Sequence, residues 1–463
     1  MNSAHTLPLV SLIIPTYNRW ALLRQTLASV LAQTYPALEI IVVDDGSTDE
    51  TMTRLTEYAG RVTVIQQSHQ GVAAARNQGI RRAQGVYLTF LDDDDLIEPT
   101  KIARQAELLQ SQPDVSLVHC GYYLSDKEGR LRDKVWLWPQ ADLLRQLACH
   151  NFIWSGAPLI RRECLAAVGL FAEQLTNAQD WDLWLRLALA GYGFAVIPEP
   201  LGTYRLQSDS MVTNLTRLEG AILTVLERTF NHPALPEPVA AAKPEAYSGM
   251  HLWLGGRGYA TGQWEFGQRH LVQALQAQPA WRGQPETLLP LLRGHALDAR
   301  VTDPPQFITD LFAHLPDEAE FLRPHYPWLL AYAQLGLALR YQASGNITEA
   351  GTEFAAALQT YPALTHHLDD LAPFLTQYAL SLPVDEPVRF AAAVLSHLPI
   401  SSPSILGDVA LGWAFQAYYA GEMRFVPRRV LMAWRYQPAL LKNRGSWAIF
   451  LKSFRRQGSG YAI

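Results

Sequence analysis

Four adjacent aspartates, Asp92 to Asp95, close the apolar run Val86-Tyr87-Leu88-Thr89-Phe90-Leu91. Carboxylates this close repel one another and resist ionising together, so the pattern demands a compensating positive charge. Hard divalent cations take oxygen ligands, and Mg2+ or Mn2+ commonly joins one or two carboxylates to substrate phosphates. The alternative is a solvated acidic turn ahead of a helix opening near Pro99, whose N-terminus favours negative charge. The apolar strand in front, which aims these groups at the ligand edge of a sheet, favours the cation.

Other polar clusters follow other strands. Val10–Ile14 reads as a short strand ended by Pro15, and Leu23, Leu27, Val30 and Leu31 then fall on one face of a helix. Glu39–Val43 is a second strand, ended by Asp44-Asp45-Gly46-Ser47, and Val62–Ile65 is a third. Strand and helix in alternation predict a mostly parallel sheet flanked by helices, with ligands at the carboxyl ends of the strands. The clusters 15–19, 44–49 and 92–95 all lie at such ends.

Taken together, these stretches resemble glycosyltransferase family 2, the inverting enzymes of GT-A fold. The resemblance rests on Ser11-Leu-Ile-Ile-Pro-Thr-Tyr-Asn-Arg19, Ile41-Val-Val-Asp-Asp-Gly-Ser-Thr-Asp49 and Leu91-Asp-Asp-Asp-Asp-Leu96. Between and beyond them, Gly71-Val-Ala-Ala-Ala-Arg-Asn-Gln-Gly79 and Gln179-Asp-Trp-Asp-Leu-Trp-Leu-Arg186 look like two further family segments in the right order. The match covers about the first 210 residues. It implies a GT-A (Rossmann-like) domain that uses a nucleoside-diphosphate sugar, UDP- or dTDP-linked, and a divalent cation, Mn2+ or Mg2+. Pro15, Thr16, Tyr17 and Arg19 would serve the nucleotide, with Tyr17 stacking on the base. Asp45 would accept the base N–H, with Asp44 bracing the turn, and Arg76 would sit near base or diphosphate. Asp92 and Asp93 would contact the donor, and Asp94, Asp93 and Gln207 would hold the metal. Asp180 would be the general base.

That chemistry is coherent. A cation neutralises charge on the departing diphosphate, and one carboxylate takes the proton of the attacking hydroxyl. Asp180 also suits a helix N-cap, since Trp181, Leu183, Trp184, Leu185 and Leu187 follow at once; the two tryptophans read as packing or as an acceptor platform. Two positions depart from the family pattern. Gln179 stands where Glu is usual, which removes a like charge and lowers the proton affinity of Asp180. Gln207 stands where His is usual and offers a weaker ligand. The acceptor would be a surface polysaccharide, a lipid-linked glycan or a protein. Two rivals remain: a degenerate nucleotide-sugar-binding scaffold, and a nucleotidyltransferase, which would want a glycine-rich loop near the first strand where this chain has Pro15–Arg19.

Length and composition frame the rest. With 463 residues, 49% hydrophobic and 17% charged, the chain is globular and long enough for two or three domains. We read a catalytic domain at 1–230, a Pro-rich linker at 231–246 and an all-α domain at 247–463. In that last part, glycines 262, 345 and 421 are each followed 17 residues later by proline and 12 later by alanine. The spacing resembles tetratricopeptide repeats, helix pairs that form contact surfaces and here would meet a protein partner. A net charge of −5 argues against nucleic acid as a partner. Cys120, Cys149 and Cys164 lack metal or disulfide spacing, so reduced thiols and a cytoplasmic setting are expected. The stretch 440–456 mixes Lys442, Arg444, Lys452, Arg455 and Arg456 with Trp447, Phe450, Leu451 and Phe454. It reads as a capping helix of the array or as a peripheral contact on the inner face of a membrane.

Overall fold

The computed structural model describes residues 7–137, 142–206, 214–366, 368–398, 403–420 and 422–457. The chain divides into a sheet unit, residues 1–131 and 135–250, and a helical unit, residues 132–134 and 251–463. In chain order, the sheet unit opens with β1 Val10–Thr16, α1 Trp20–Leu31, β2 Leu38–Asp44, α2 Thr51–Leu55, β3 Thr63–Gln66, α3 Val72–Arg82 and β4 Tyr87–Phe90. It continues with β5 Leu96–Ile97, α4 Lys101–Ser111, β6 Val115–Ser125, β7 Leu131–Val135, α5 Leu143–Cys149 and β8 Leu159–Arg161. After these come α6 Cys164–Val168, α7 Gln179–Leu189, β9 Gly193–Arg205 and α8 Leu215–Phe230.

The strand order is β3-β2-β1-β4-β8-β6-β9-β5. β3, β2, β1 and β4 run parallel, and so do β6 and β9. β8 reverses direction between β4 and β6, and β5 reverses at the edge on β9. The four strands expected from the apolar runs are present. Leu12, Ile13, Ile14, Ile41, Val42, Val43 and Leu88 are buried, as continuous apolar runs covered on both faces must be. On α1, Leu23, Leu27 and Val30 face inward as the spacing predicts, with Thr26 beside them.

Pro15 sits in a central strand, which a missing N–H normally forbids. Here β1 pairs with β2 through Thr16, but with β4 only through Ile13. Leu91 N–H donates to the Ile13 carbonyl, so the side of β1 where an N–H of residue 15 would point has already lost its neighbour. The strand that turns away at this point carries the four aspartates. The proline thus marks where the sheet opens into the site.

The stretch 231–246, expected as a linker, carries α9 Glu237–Ala240 and the start of α10 Lys243–Ala260. Its prolines do not break these helices because Pro236 is the N-cap of α9 and Pro238 lies in the first turn, where no N–H is needed. The helical unit continues with α11 Trp264–Ala277, α12 Leu289–Ala296, α13 Pro304–Ala313, α14 Tyr326–Ala343 and α15 Ile347–Thr360. It closes with α16 Leu368–Ser381, α17 Pro387–Leu395, α18 Pro403–Tyr419, α19 Val426–Tyr436 and α20 Arg444–Gln457.

The periodic positions fall on corresponding places in three helix pairs, α10/α11, α14/α15 and α18/α19. Gly262 and Gly345 take the left-handed turn between helices, at φ 71° and 82°; Gly421 lies outside the described residues. Pro279, Pro362 and Pro438 each open a short 3₁₀ turn after the second helix. Ala274, Ala357 and Ala433 are fully buried, as are the large apolar residues three before them, Leu271, Phe354 and Val430. In the first pair the helices meet through glycine: a Cβ on Gly258 would stand 2.7 Å from the Gly267 nitrogen. Among the described residues, no helix is long and apolar enough to cross a membrane.

Candidate active site

The acidic run occupies the turn from β4 to β5, and each aspartate has a different anchor. Asp95 is fully buried; Trp154 Nε1 donates to it at 2.8 Å and the Arg205 backbone N–H at 2.9 Å. Burial and the neighbouring Asp94 push its carboxyl well above the usual range. Asp93 accepts the Thr16 hydroxyl at 2.7 Å, and Thr26 Oγ1 donates to the carbonyls of Asp93 and Asp95. Asp94 pairs with Arg19 at 3.0 Å, and the same guanidinium reaches Asp93 at 3.6 Å. Asp92 pairs with Arg76 and accepts the Ser155 hydroxyl at 3.0 Å.

Two of these carboxyls remain short of positive charge. Burial and Asp94 raise Asp93 to about 7; burial and Asp92 raise Asp94 to about 6. Arg19 is shared between them and the Arg205 guanidinium adds to it, but burial outweighs both. Hard oxygen donors crowded in this way fit a divalent cation. Among the described residues no three His, Cys, Asp or Glu side chains are grouped to cage one. Mg2+ and Mn2+ need no such cage when substrate phosphates complete the shell. Gln207, expected as a ligand, lies outside the described residues.

Asp180 stands in the first turn of α7, half-buried, with Asn151 Nδ2 at 3.5 Å from its carboxylate. It is not the N-cap. Ala178 holds that position, in the left-handed region at φ 56°, which costs a non-glycine residue about 1–3 kcal/mol. Burial raises the Asp180 carboxyl, the Arg76 guanidinium opposes that, and Asp92 adds to it. Burial sets the direction of this shift, and the neutral Gln179 adds no like charge to it. Gln179 is itself buried and donates to the Leu175 carbonyl at 2.9 Å. Trp181 and Trp184 are buried too, and Trp181 Nε1 donates to the Leu147 carbonyl at 2.7 Å; they pack the core and offer no platform.

The other end of the site is an aromatic shelf. Tyr17 is 40% exposed and its ring lies 4.3 Å from that of His69, tilted by 31°. Asn18, at φ 52°, clamps the neighbouring turn: its Oδ1 accepts the N–H groups of Thr48 and Asp49. Asp44 accepts the Ser47 N–H at 3.1 Å, in keeping with a bracing role. Asp45 is buried, and three donors hold its carboxylate, Gln67 Nε2 and the N–H groups of Gln70 and Gly71, with His69 Nδ1 2.9 Å from the same group. Pro15 and Thr16 are buried in β1, and Arg76 lies under the Asp92 end, its guanidinium 5.3 Å from the Phe171 ring. Of the residues expected to meet the donor, Tyr17 is exposed and Arg19 and Asp92 are partly so, while Pro15, Thr16, Asp45, Arg76, Asp93 and Asp94 are buried.

Sequence reasoning missed His69, Asn151, Trp154, Ser155 and Arg205. Only Arg205 had a local signal, its place beside the position where His is usual. Cys120, Cys149 and Cys164 are all free thiols.

Residues 11–166 match the family model described as Glycosyl transferase family 2. The chain is 36% identical over 186 residues to an uncharacterized glycosyltransferase of Rickettsia prowazekii, covering 39% of this chain and 58% of the relative. It is 33% identical over 211 residues to the putative teichuronic acid biosynthesis glycosyltransferase TuaG of Bacillus subtilis, covering 45% of this chain and 82% of that relative. A solved mannosyltransferase from Pyrobaculum calidifontis, in complex with GDP-Man and Mn2+, is 22% identical, with a TM-score of 0.44 over 68% of this chain and 89% of that one. The chain spans little more than half the length of the Rickettsia relative.

Proposed function

Because this chain belongs to glycosyl transferase family 2, we propose that its sheet unit moves a sugar from a nucleoside-diphosphate sugar to an acceptor hydroxyl with inversion. One observation carries the reading. The turn after β4 carries the crowded carboxylates Asp93 and Asp94, and its first aspartate, Asp92, pairs with Arg76 and shares an electrostatic neighbourhood with a second acid, Asp180, whose proton affinity burial has raised. The first group suits a diphosphate with its cation, and the second suits a hydroxyl proton.

The roles follow from what is accessible. Tyr17, backed by His69, presents a flat face to the base, and Arg19 can turn from Asp94 to the diphosphate. Asp94, with Asp92 beside it, would hold a divalent cation, which when bound supplies a Lewis acid that neutralises charge on the departing phosphate. Asp180 takes the acceptor proton, steered by Asn151, and one such base suffices when attack comes from the face opposite the leaving group. Its raised proton affinity places the acidic limb of the pH profile above the ordinary carboxylate range of about 4. In this reading the acceptor is a glycan of a surface polysaccharide, a lipid-linked glycan or a protein, and the helix pairs, as tetratricopeptide-like repeats, contact a partner or the acceptor. The name of the Bacillus relative supports the polysaccharide setting.

The test is the thermal stability of the full chain against a panel of nucleoside diphosphates, with and without Mn2+. A ligand at 100 times its Kd stabilises by about 2.7 kcal/mol, so a real site is visible without knowing the acceptor. The expected result is a shift for one base, larger with Mn2+, and no added benefit from Mn2+ in Asp94→Ala. No shift with any nucleotide or metal would sink the proposal.

A further inference from the structure

From Met423 to Ile463 the sequence holds nine Lys or Arg and no Asp or Glu, in a chain that totals 38 basic and 43 acidic residues. The same stretch is where the helical unit shows apolar side chains to solvent. Leu431, Leu441, Trp447 and Leu451 are 39–56% exposed, four of the seven exposed large apolar side chains of that unit among the described residues. We propose that this face docks on an anionic lipid surface.

The geometry suits a flat, amphipathic partner. On α20, Trp447 and Leu451 are four residues apart and share one face, while Ile449 and Ser453 point inward and are buried. Trp447 is held in place: its Nε1 donates to the Leu441 carbonyl at 2.7 Å and its ring lies 4.5 Å from that of Trp434. That leaves one side of the indole outward, next to the exposed Leu441. Lys442, Arg444 and Lys452 flank these residues and are exposed. On α19, Arg428, Leu431 and Arg435 are exposed at i, i+3 and i+7, again basic residues around leucine. Arg429 lies elsewhere, 3.9 Å from the Trp413 ring centroid.

The choice of occupant rests on charge and chemistry together. An anionic bilayer takes both halves of the pattern, headgroup phosphates meeting Lys and Arg while Leu and Trp enter the acyl boundary. Nucleic acid would answer the charges but leave the leucines in water. A second copy of this chain, docked face to face, would bring like charges together.

The experiment is flotation of the full chain with vesicles of phosphatidylcholine alone or with 30 mole per cent phosphatidylglycerol, at low and at moderate salt. Binding is expected to favour the anionic vesicles by at least about tenfold and to weaken with salt. Lys442→Glu with Arg444→Glu should lower it about tenfold or more, and Leu451→Glu should lower it at both salt levels. Arg428→Glu with Arg435→Glu serves if the first pair melts early. Asp180→Asn should float like the parent, because this inference stands apart from the transferase reading. Equal binding to both vesicles, no binding to either, or a folded Leu451→Glu that floats unchanged would overturn it. So would a dimer that this substitution dissolves in the absence of lipid binding.

Discussion

Arg76, Asp93, Asp94, Asp95, Lys101, Asp182, Glu199 and Arg205 are all buried, and all lie in the sheet unit. Among the described residues of the helical unit, the buried polar groups are His251, His270, Ser446 and Ser453, around cores built from residues such as Tyr332, Leu335, Phe354 and Val409. Taking a charge out of water costs several kcal/mol unless a partner compensates it. With Asp44, Asp45 and Asp126 also buried there, a fold that needed only stability would not collect so many such side chains in one half. The helical unit, with no buried Asp, Glu, Lys or Arg among its described residues, closes its helix pairs on Ala and Gly instead. The sheet unit accepts the electrostatic cost where strand ends must present carboxylates of tuned proton affinity.

That contrast can be broken at three points. The largest effect is expected at Asp180. Asp180→Asn should lower turnover by about 10²–10⁴-fold in a transfer or donor-hydrolysis assay, with nucleotide binding retained. An equal loss of binding would make Asp180 a structural residue and remove the functional reason for burying charge. Next is Phe354, 1% exposed in the helical core. Phe354→Ala should destabilise the helical unit by about 3–5 kcal/mol in denaturant melts while leaving nucleotide-induced stabilisation of the sheet unit in place. Loss of both would mean that the two regions do not divide labour as described.

The smallest effect concerns Lys101, fully buried at the start of α4, with Thr89 Oγ1 3.5 Å from Nζ and no acidic partner among its bonded neighbours. Burial lowers its ammonium to about 8, and the nearby Cys120 thiol is pushed up to about 11. A cation whose folded value lies below its unfolded one penalises folding fully below pH 8. The penalty fades between 8 and 10.5 and is absent above. Lys101→Met should therefore raise stability at pH 7 by up to about 3 kcal/mol, with the gap closing by pH 10.5. A gap that stays constant with pH would assign the effect to packing.

How far the sequence revealed this site depended on how local each signal was. The strands β1, β2 and β4 are continuous apolar runs, and the polar clusters at their ends lie at the opened edge of the sheet, so placement was readable without knowing the fold in detail. Contacts formed across the chain were not. Residues 151–155 deliver Asn151 to Asp180, Trp154 to Asp95 and Ser155 to Asp92. No period or spacing in His150-Asn-Phe-Ile-Trp-Ser-Gly156 announces this, because the partners are brought together only when β8 inserts antiparallel beside β4. Trp181 and Trp184 stayed open between packing and platform because an apolar helix stripe is the same pattern whether it faces core or ligand, and both are packed in the core. At Asp45 sequence shows a carboxylate but not the donors from Gln67, Gln70 and Gly71 that converge on it.

Those donors make Asp45 and residues 67–71 a single heritable cassette. The aspartate terminates one strand and the loop precedes another element's helix, yet neither has a defined shape without the other. Gly46 reinforces the linkage: at φ +85°, a Cβ there would press to 3.0 Å from the His69 nitrogen. Anyone wishing to retarget the aromatic shelf by borrowing a loop from a relative should move residues 45–46 with it. A graft of 67–71 alone would arrive as a floppy tether, with Tyr17 left facing a partner that no longer knows where to stand.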